Sequence, residues 1–289
     1  MDIDGDGHID ILSGSYSRME QKMAGLFQVL YGNVDGTFRK AEVLKGTDGE
    51  PLIIPTKGDE QITENICTRP FAIDWDGDGH LDLVVGNFAG TFYCFKGEGK
   101  GKFIPKPEMI MAGEEPLRIP GAHSDPFVVD WDGDGDLDIV SGSANGGVYW
   151  AENTAGKGKP PKLKQFRQLI KPNPAPESGT PLKEADLTGP THATRIWIDD
   201  INGDGKLDIL VGDSVTLVSP AKGLTVEEMK AKMKDWEKEF QKAMEAMTAA
   251  GEDEKAREKA NKEYNRIYQQ RSQFINEETT GYVWLYLQK

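Results

Sequence analysis

The stretch "DWDGDGHLDLVVG", Asp74 to Gly86, sets four carboxylates within nine residues and then runs straight into an apolar segment. Like charges at that density repel one another and call for a neutralising partner. Numbered from Asp74, the acids fall at positions 1, 3, 5 and 9 (Asp74, Asp76, Asp78 and Asp82), with Gly79 at position 6. Side chains at alternate positions converge on one centre, glycine at 6 permits the tight turn, and the backbone carbonyl of position 7 adds an oxygen. An all-oxygen set of this size suits Ca2+ better than Mg2+ or Zn2+. An EF-hand would require Glu at position 12 and a following helix. Val85 stands there instead and strand-forming residues follow, so the loop closes at nine.

The pattern recurs, which makes accident an inadequate account of it. "DIDGDGHIDILSG" supplies Asp2, Asp4, Asp6 and Asp10; "DWDGDGDLDIVSG" supplies Asp130, Asp132, Asp134 and Asp138; "DINGDGKLDILVG" supplies Asp200, Asn202, Asp204 and Asp208. Position 7 varies freely as His8, His80, Asp136 and Lys206, so its carbonyl and not its side chain is the candidate ligand, and the two histidines read as solvent-facing. Charge agrees with this reading. The formal net charge is -14, which about four bound Ca2+ would bring to -6. No basic tract opposes that acidity, which disfavours nucleic acid as a partner. No apolar run reaches the roughly 18 residues of a membrane span, and 289 residues suffice for a sizeable core. Cys67 and Cys94 have neither the CxxC spacing of a metal or redox site nor the density of a disulfide scaffold. Cys94, within "TFYCF", reads as a small buried strand residue, a bridge to Cys67 being the alternative.

Each loop sits in a longer unit. A short apolar stretch precedes it ("PFAID", "PFVVD", "RIWID") and a buried strand follows; then come a glycine and an aromatic-rich run, as in "GTFYCFKGEG" and "GGVYWAEN". A fourth element appears in three units, as in "KFIPKPEMI" and "KQFRQLI", giving up to four short antiparallel strands per unit. A second echo, "GEPLIIP", "EEPLRIP" and "GTPLKEA", spaces Pro51, Pro116 and Pro181 by 65 residues. Four-stranded units of this size predict an all-β fold, a propeller whose blades pack face to face around an axis.

On these loops and units the chain resembles the FG-GAP or VCBS repeat family, the calcium-loop blades of integrin alpha-subunit propellers and many secreted bacterial proteins. The resemblance spans nearly the whole chain apart from one insertion. It implies that each loop lies between the first and second strands of a blade and binds Ca2+. Such propellers usually have about seven blades; four are visible here, the first without its innermost strand and the last without an outer one. Missing blades or another chain are therefore expected to complete the ring.

The insertion spans residues 224–275, dividing the propeller into 1–223 and a closing strand at 276–289 of the fourth blade. Thr225 and Glu228 form a capping-box start, and Val226, Met229, Met233, Trp236, Phe240, Ala243 and Met247 mark one apolar helix face. Ala260, Tyr264, Ile267 and Phe274 mark a second helix beyond a break at Gly251, so the segment reads as an antiparallel hairpin. Its methionine-rich face is either a partner-binding arm or self-packed.

Function is carried by less. Five residues before position 1 stand Arg69, Asp125 and Arg195, with His123 and His192 nearby. They are expected to form a polar cluster around one mouth of the channel, roughly 16 Å from the loops at 3.3 Å per residue, or else to be inter-blade salt bridges. The expected function is a non-enzymatic, calcium-binding module for an extracellular carbohydrate or protein ligand, secreted, periplasmic or at the cell surface, where Ca2+ is high enough for loops of this kind. The alternatives are a calcium-dependent polysaccharide-active enzyme such as a lyase, suggested by related propellers, and an interaction scaffold using the hairpin. No nucleophile elbow, P-loop or zinc motif appears, and no spacing ties the histidines into an acid/base pair.

Overall fold

The computed structural model describes residues 1–16, 25–56, 63–174, 176–177, 179–251 and 253–289. It divides into two compact units, one of Met1–Pro172, Pro190–Asp213 and Val283–Lys289, the other of Asn173–Gly189 and Ser214–Tyr282.

The first unit is four antiparallel sheets. Sheet 1 has three strands, β1 (Ile11–Ser13), β2 (Gln28–Leu30) and β3 (Glu42–Val43). Sheet 2 is ordered β4 (Arg69–Ile73), β5 (Asp82–Gly86), β6 (Phe92–Phe95) and β9 (Glu108–Met109), with a small hairpin of β7 (Gly97–Gly99) and β8 (Lys102–Phe103) between its last two. A second hairpin, β10 (Met111–Ala112) with β11 (Glu115–Pro116), leads into sheet 3, whose order is β12 (Asp125–Val129), β13 (Asp138–Gly142), β14 (Val148–Ala151) and β15 (Arg167–Ile170). Sheet 4 contains β16 (His192–Asp199), the start of β17 (Asp208–Pro220) and β19 (Val283–Tyr286). The first strands β4, β12 and β16 are neighbours.

Burial explains why the second strands read as nearly continuous apolar runs: they are covered on both faces. In β5, Leu83 and Val85 pack toward sheet 1 with Phe27, Val29 and Phe103, while Val84 packs toward sheet 3 with Val128 and Ile139. In β13, Val140 packs the other way, with Ile198, Ile209 and Val211 of sheet 4. The "PLIIP" and "PLRIP" echo plugs these cores: Leu52 and Ile54 enter the first, Leu117 and Ile119 the second, all at 2% exposure or less.

Consecutive sheets are also clasped by hydrogen bonds. The backbone N–H groups of Ser15, Asn87 and Ser143, just past each second strand, donate to the hydroxyls of Thr68, Ser124 and Thr194 at 2.9, 2.7 and 2.7 Å. The N–H groups of those hydroxyl residues return bonds of 3.0 Å to the carbonyls of Ser15, Asn87 and Ser143. The preceding glycines make this approach possible. A Cβ on Gly14, Gly86 or Gly142 would lie 1.9, 2.4 or 2.3 Å from the carbonyl oxygen of Thr68, Ser124 or Thr194. Gly212 holds the same place in sheet 4, and its nearest such atom is 3.9 Å away.

In the second unit the outer part of β17 pairs with β18 (Ile275–Thr280), in register from Val215↔Thr280 to Pro220↔Ile275. Residues 276–289, read from the sequence as one closing strand, thus hold parts of two, β18 and β19. Between β17 and β18 stand α1 (Val226–Ala249) and α2 (Glu254–Gln270). Thr225 and Glu228 form the reciprocal capping box, and Asp253 caps α2 by accepting from Ala256 N–H. Met229, Met233, Trp236 and Ala243 meet Ile267 across the hairpin, and Trp236 Nε1 donates to the Ile267 carbonyl at 2.7 Å. At about 1.5–3 kcal/mol for each large side chain, this burial holds the hairpin closed. Met229 and Met233, being 0% and 5% exposed, are core residues and not a partner-binding face. Phe274, assigned from its spacing to the second helix, follows a short 3-10 turn beyond α2, yet still packs in this core.

Candidate metal centre

The four acidic loops share one set of internal hydrogen bonds. The position-1 carboxylates of Asp2, Asp74, Asp130 and Asp200 accept from the N–H of position 4 at 2.8, 2.9, 2.8 and 2.8 Å, and from that of position 6 at 2.8, 3.0, 3.0 and 2.9 Å. Gly77 and Gly79, at φ 79° and 89°, show why positions 4 and 6 are glycine: the turn needs a backbone that side chains disfavour. Position 5 (Asp6, Asp78, Asp134, Asp204) accepts from the N–H of position 7.

Position 9 lies deeper. Asp10, Asp82, Asp138 and Asp208 are at most 4% exposed. One oxygen of each accepts from the N–H of position 2 (Ile3, Trp75, Trp131, Ile201) and the other from an N–H just past the third strand (Gly32, Gly97, Asn153, Gln288), at 2.7–3.1 Å. The carboxylate therefore pins its loop to its own sheet. Burial pushes the Asp82 carboxyl above its ordinary range and that of Asp138 up to about 6, against the lowering effect of these hydrogen bonds.

Whether these residues suit a cation can be judged from their oxygens. Asp2, Asp4 and Asp6 each offer one such that all lie within 4.8 Å of one another; so do Asp74, Asp76 and Asp78, and Asp130, Asp132 and Asp138. That convergence of hard anionic donors fits a divalent cation. In the fourth loop Asn202 replaces an acid and donates to Asp204 at 3.2 Å, and no three-carboxylate group forms there among the described residues. Two loops have protein cations close by. Lys96 Nζ pairs with Asp76 and lies 3.6 Å from Asp82, and Arg39 lies 3.5 Å from Asp6. Lys96 holds the Asp76 carboxyl below its ordinary range.

The position-7 side chains do not share one environment. His80 and Lys206 are exposed and His8 half-buried, but Asp136 is buried and accepts from Gly156 N–H at 2.6 Å.

At the opposite end of the first strands, Asp125 bridges two arginines from neighbouring sheets, Arg69 at 3.0 Å and Arg195 at 3.9 Å. Burial raises the Asp125 carboxyl while the guanidinium groups pull it down. Burial, Arg69 and Arg195 together lower the imidazole of His123, which packs on Phe88 at 4.3 Å. His192, exposed at the start of β16, is not part of these pairs. A groove of about 350 Å³ beside the cluster is lined by Leu12–Tyr16, Cys67–Pro70 and Asp125. Cys67 and Cys94 are both buried and free, so the alternative of a bridge between them fails.

The sequence reading did not find Lys96 or the clasp hydroxyls Thr68, Ser124 and Thr194. The second group had a signal, a Ser or Thr six residues before position 1 in three units. No helix among the described residues is long and apolar enough to cross a membrane. Compared with known families, residues 74–141 and 130–211 match the FG-GAP-like repeat. No curated protein matches the chain.

Proposed function

We propose, from the match of residues 74–211 to the FG-GAP-like repeat, that this chain is a Ca2+-stabilised, propeller-like module that binds an extracellular carbohydrate or protein and catalyses no reaction. The observation that supports it most is the convergence of three carboxylate oxygens within 4.8 Å in each of three loops. In this reading Asp2, Asp4, Asp6 and Asp10, with their counterparts in the other loops and the carbonyls of His8, His80, Asp136 and Lys206, hold about four Ca2+. Bound Ca2+ would supply neutralising charge beyond what Lys96 and Arg39 bring to two of the loops. The module works outside the cytoplasm, in secretion, periplasm or cell-surface settings where loops of modest affinity stay loaded.

The ligand face in this reading is the far end of the first strands, where Arg69, Asp125, Arg195 and His123 lie beside the groove and His192 nearby. Two guanidinium groups against one carboxylate leave a net positive charge there, which suits an anionic sugar or an acidic peptide segment. Isothermal titration with Ca2+, together with metal counting by mass spectrometry, tests the first half: about four ions per chain are expected, and none bound at millimolar Ca2+ overturns it. Glycan and protein arrays probed with the Ca2+-loaded chain and with Arg195→Ala test the second. Equal binding by both forms would move the ligand face elsewhere.

A further inference from the structure

The four acidic loops share a backbone, but one neighbouring position differs in chemistry from sheet to sheet. Gly32, Gly97, Asn153 and Gln288 hold the position-9 carboxylates through their N–H groups. Immediately before them stand Tyr31, Lys96, Glu152 and Leu287, a phenol, an ammonium, a carboxylate and an aliphatic chain.

Only in sheet 2 is this residue a cation, and it turns into the loop. Lys96 Nζ pairs with Asp76 at position 3 and stands 3.6 Å from Asp82 at position 9, so one ammonium meets carboxylates from both ends of the second loop. Asp76 is one of the three acids whose oxygens converge there. The Lys96 backbone is fixed on both sides, by the wholly buried Phe95 and by the 2.8 Å bond from Gly97 N–H to Asp82. Its charge is therefore tethered at the loop. Arg39, beside the first loop, is 49% exposed and touches only the position-5 Asp6. In sheet 3, Glu152 turns to Lys164 at 2.7 Å, and among the described residues no Lys or Arg pairs with an acid of the third loop. That loop also carries a further acid, Asp136.

We propose that Lys96 is a built-in counter-ion that sets the second loop apart, holding its carboxylates together without metal and making it take up Ca2+ only after the third loop. This rests on the reading of the loops as Ca2+ sites. A unit positive charge kept in contact with a ligating carboxylate opposes a divalent ion, lowering its affinity on the order of tenfold even at the dielectric constant of water. The third loop has no such opponent.

Amide NMR of the full chain labelled at glycine, recorded during a Ca2+ titration, reads the two loops separately through Gly79 and Gly135, whose N–H groups bond to Asp74 and Asp130. The Gly79 midpoint is expected at about tenfold higher Ca2+ than that of Gly135. Lys96→Met should bring it down by about the same factor and leave Gly135 unchanged, while Lys96→Arg, which keeps the charge, should leave it late. In EDTA, Lys96→Met should melt below the parent, and excess Ca2+ should close the gap. A Gly79 midpoint that Lys96→Met does not move, or one at or below that of Gly135 in the parent, overturns the role of Lys96 and leaves the Ca2+ sites standing. So does a Lys96→Met chain as stable as the parent in EDTA. If neither amide responds to millimolar Ca2+, the Ca2+ reading itself falls, and this proposal with it.

Discussion

Alanine at Gly142 and alanine at Gly212 are the same substitution at equivalent places in two sheets, and the structure assigns them opposite outcomes. At Gly142 the new Cβ would lie 2.3 Å from the Thr194 carbonyl oxygen and 2.8 Å from its carbon, both backbone atoms that no side-chain rotation can move aside. Real Cβ contacts stay beyond 3.0 Å, so the strands of sheets 3 and 4 must part by at least 0.7 Å. That stretches the Ser143 N–H bond to Thr194 Oγ1 (2.7 Å) and its return partner (3.0 Å). Two hydrogen bonds at about 1 kcal/mol each, plus about 1–3 kcal/mol for overpacking, give a cost of roughly 3–5 kcal/mol. At Gly212 the nearest backbone atom is 3.9 Å from the same Cβ, so alanine meets no obstacle and removes glycine's excess unfolded-state entropy, for a gain between 0 and about 1 kcal/mol. Urea denaturation in saturating Ca2+, followed by tryptophan fluorescence, measures both. Gly142→Ala within 1 kcal/mol of the parent, or Gly212→Ala costing as much as Gly142→Ala, would refute the clasp as the reason these positions are glycine.

Removing Ca2+ should destabilise the first unit sharply. With dissociation constants of 10⁻⁴–10⁻³ M, as in extracellular modules, each site contributes about 1.4–2.7 kcal/mol at 10 mM Ca2+. Counting only the three loops in which three carboxylates converge, the melting temperature shifts by roughly 10–25 °C, and a shift below 3 °C in excess EDTA would sink the metal reading. Asp138→Ala should cost roughly 2–5 kcal/mol even in EDTA, because the N–H groups of Trp131 and Asn153 lose their acceptor; a cost seen only with Ca2+ present would make that carboxylate a ligand alone. Burial pushes the Cys94 thiol up to about 12, so thiol reagents at pH 8 should label it only on unfolding. Because its folded value lies above the ordinary 9.0, its contribution to stability is complete below pH 9 and is lost as the pH rises from 9 toward 12. Rapid labelling of the folded chain, or a flat alkaline limb, counts against that burial.

The acidic loops were legible because their chemistry is local: every internal bond of a loop joins residues at most seven apart, so spacing alone discloses the turn. The second strands were legible for a related reason, since a strand covered on both faces cannot alternate. What the sequence concealed depends on partners far along the chain. The clasp joins Ser15 to Thr68 and Asn87 to Ser124, over 53 and 37 residues. A lone Thr or Ser before a strand gives no hint of such a partner until the repeats are overlaid. The position-9 carboxylates read as ligands from spacing; in the structure they are backbone acceptors, a role invisible without the third strand beside them. The β17–β18 pairing was missed because the helical pattern between its halves drew the eye; the β-branched residues Val215, Thr216, Val218, Thr279 and Thr280 were its signal.

The clasps connect each sheet only to its immediate neighbours, and this governs how the first unit opens. Its stability is a sum of intrinsic sheet terms and nearest-neighbour couplings, as in a linear array. Among the described residues, sheets 2 and 3 carry two clasps each, sheets 1 and 4 one each. Opening therefore begins at an end, where a single coupling must break, and reaches the middle last. Amide hydrogens of β5 and β13 should exchange through the rarest openings and those of β1 and β19 through the commonest, so that the order of protection along the chain traces the order of the sheets.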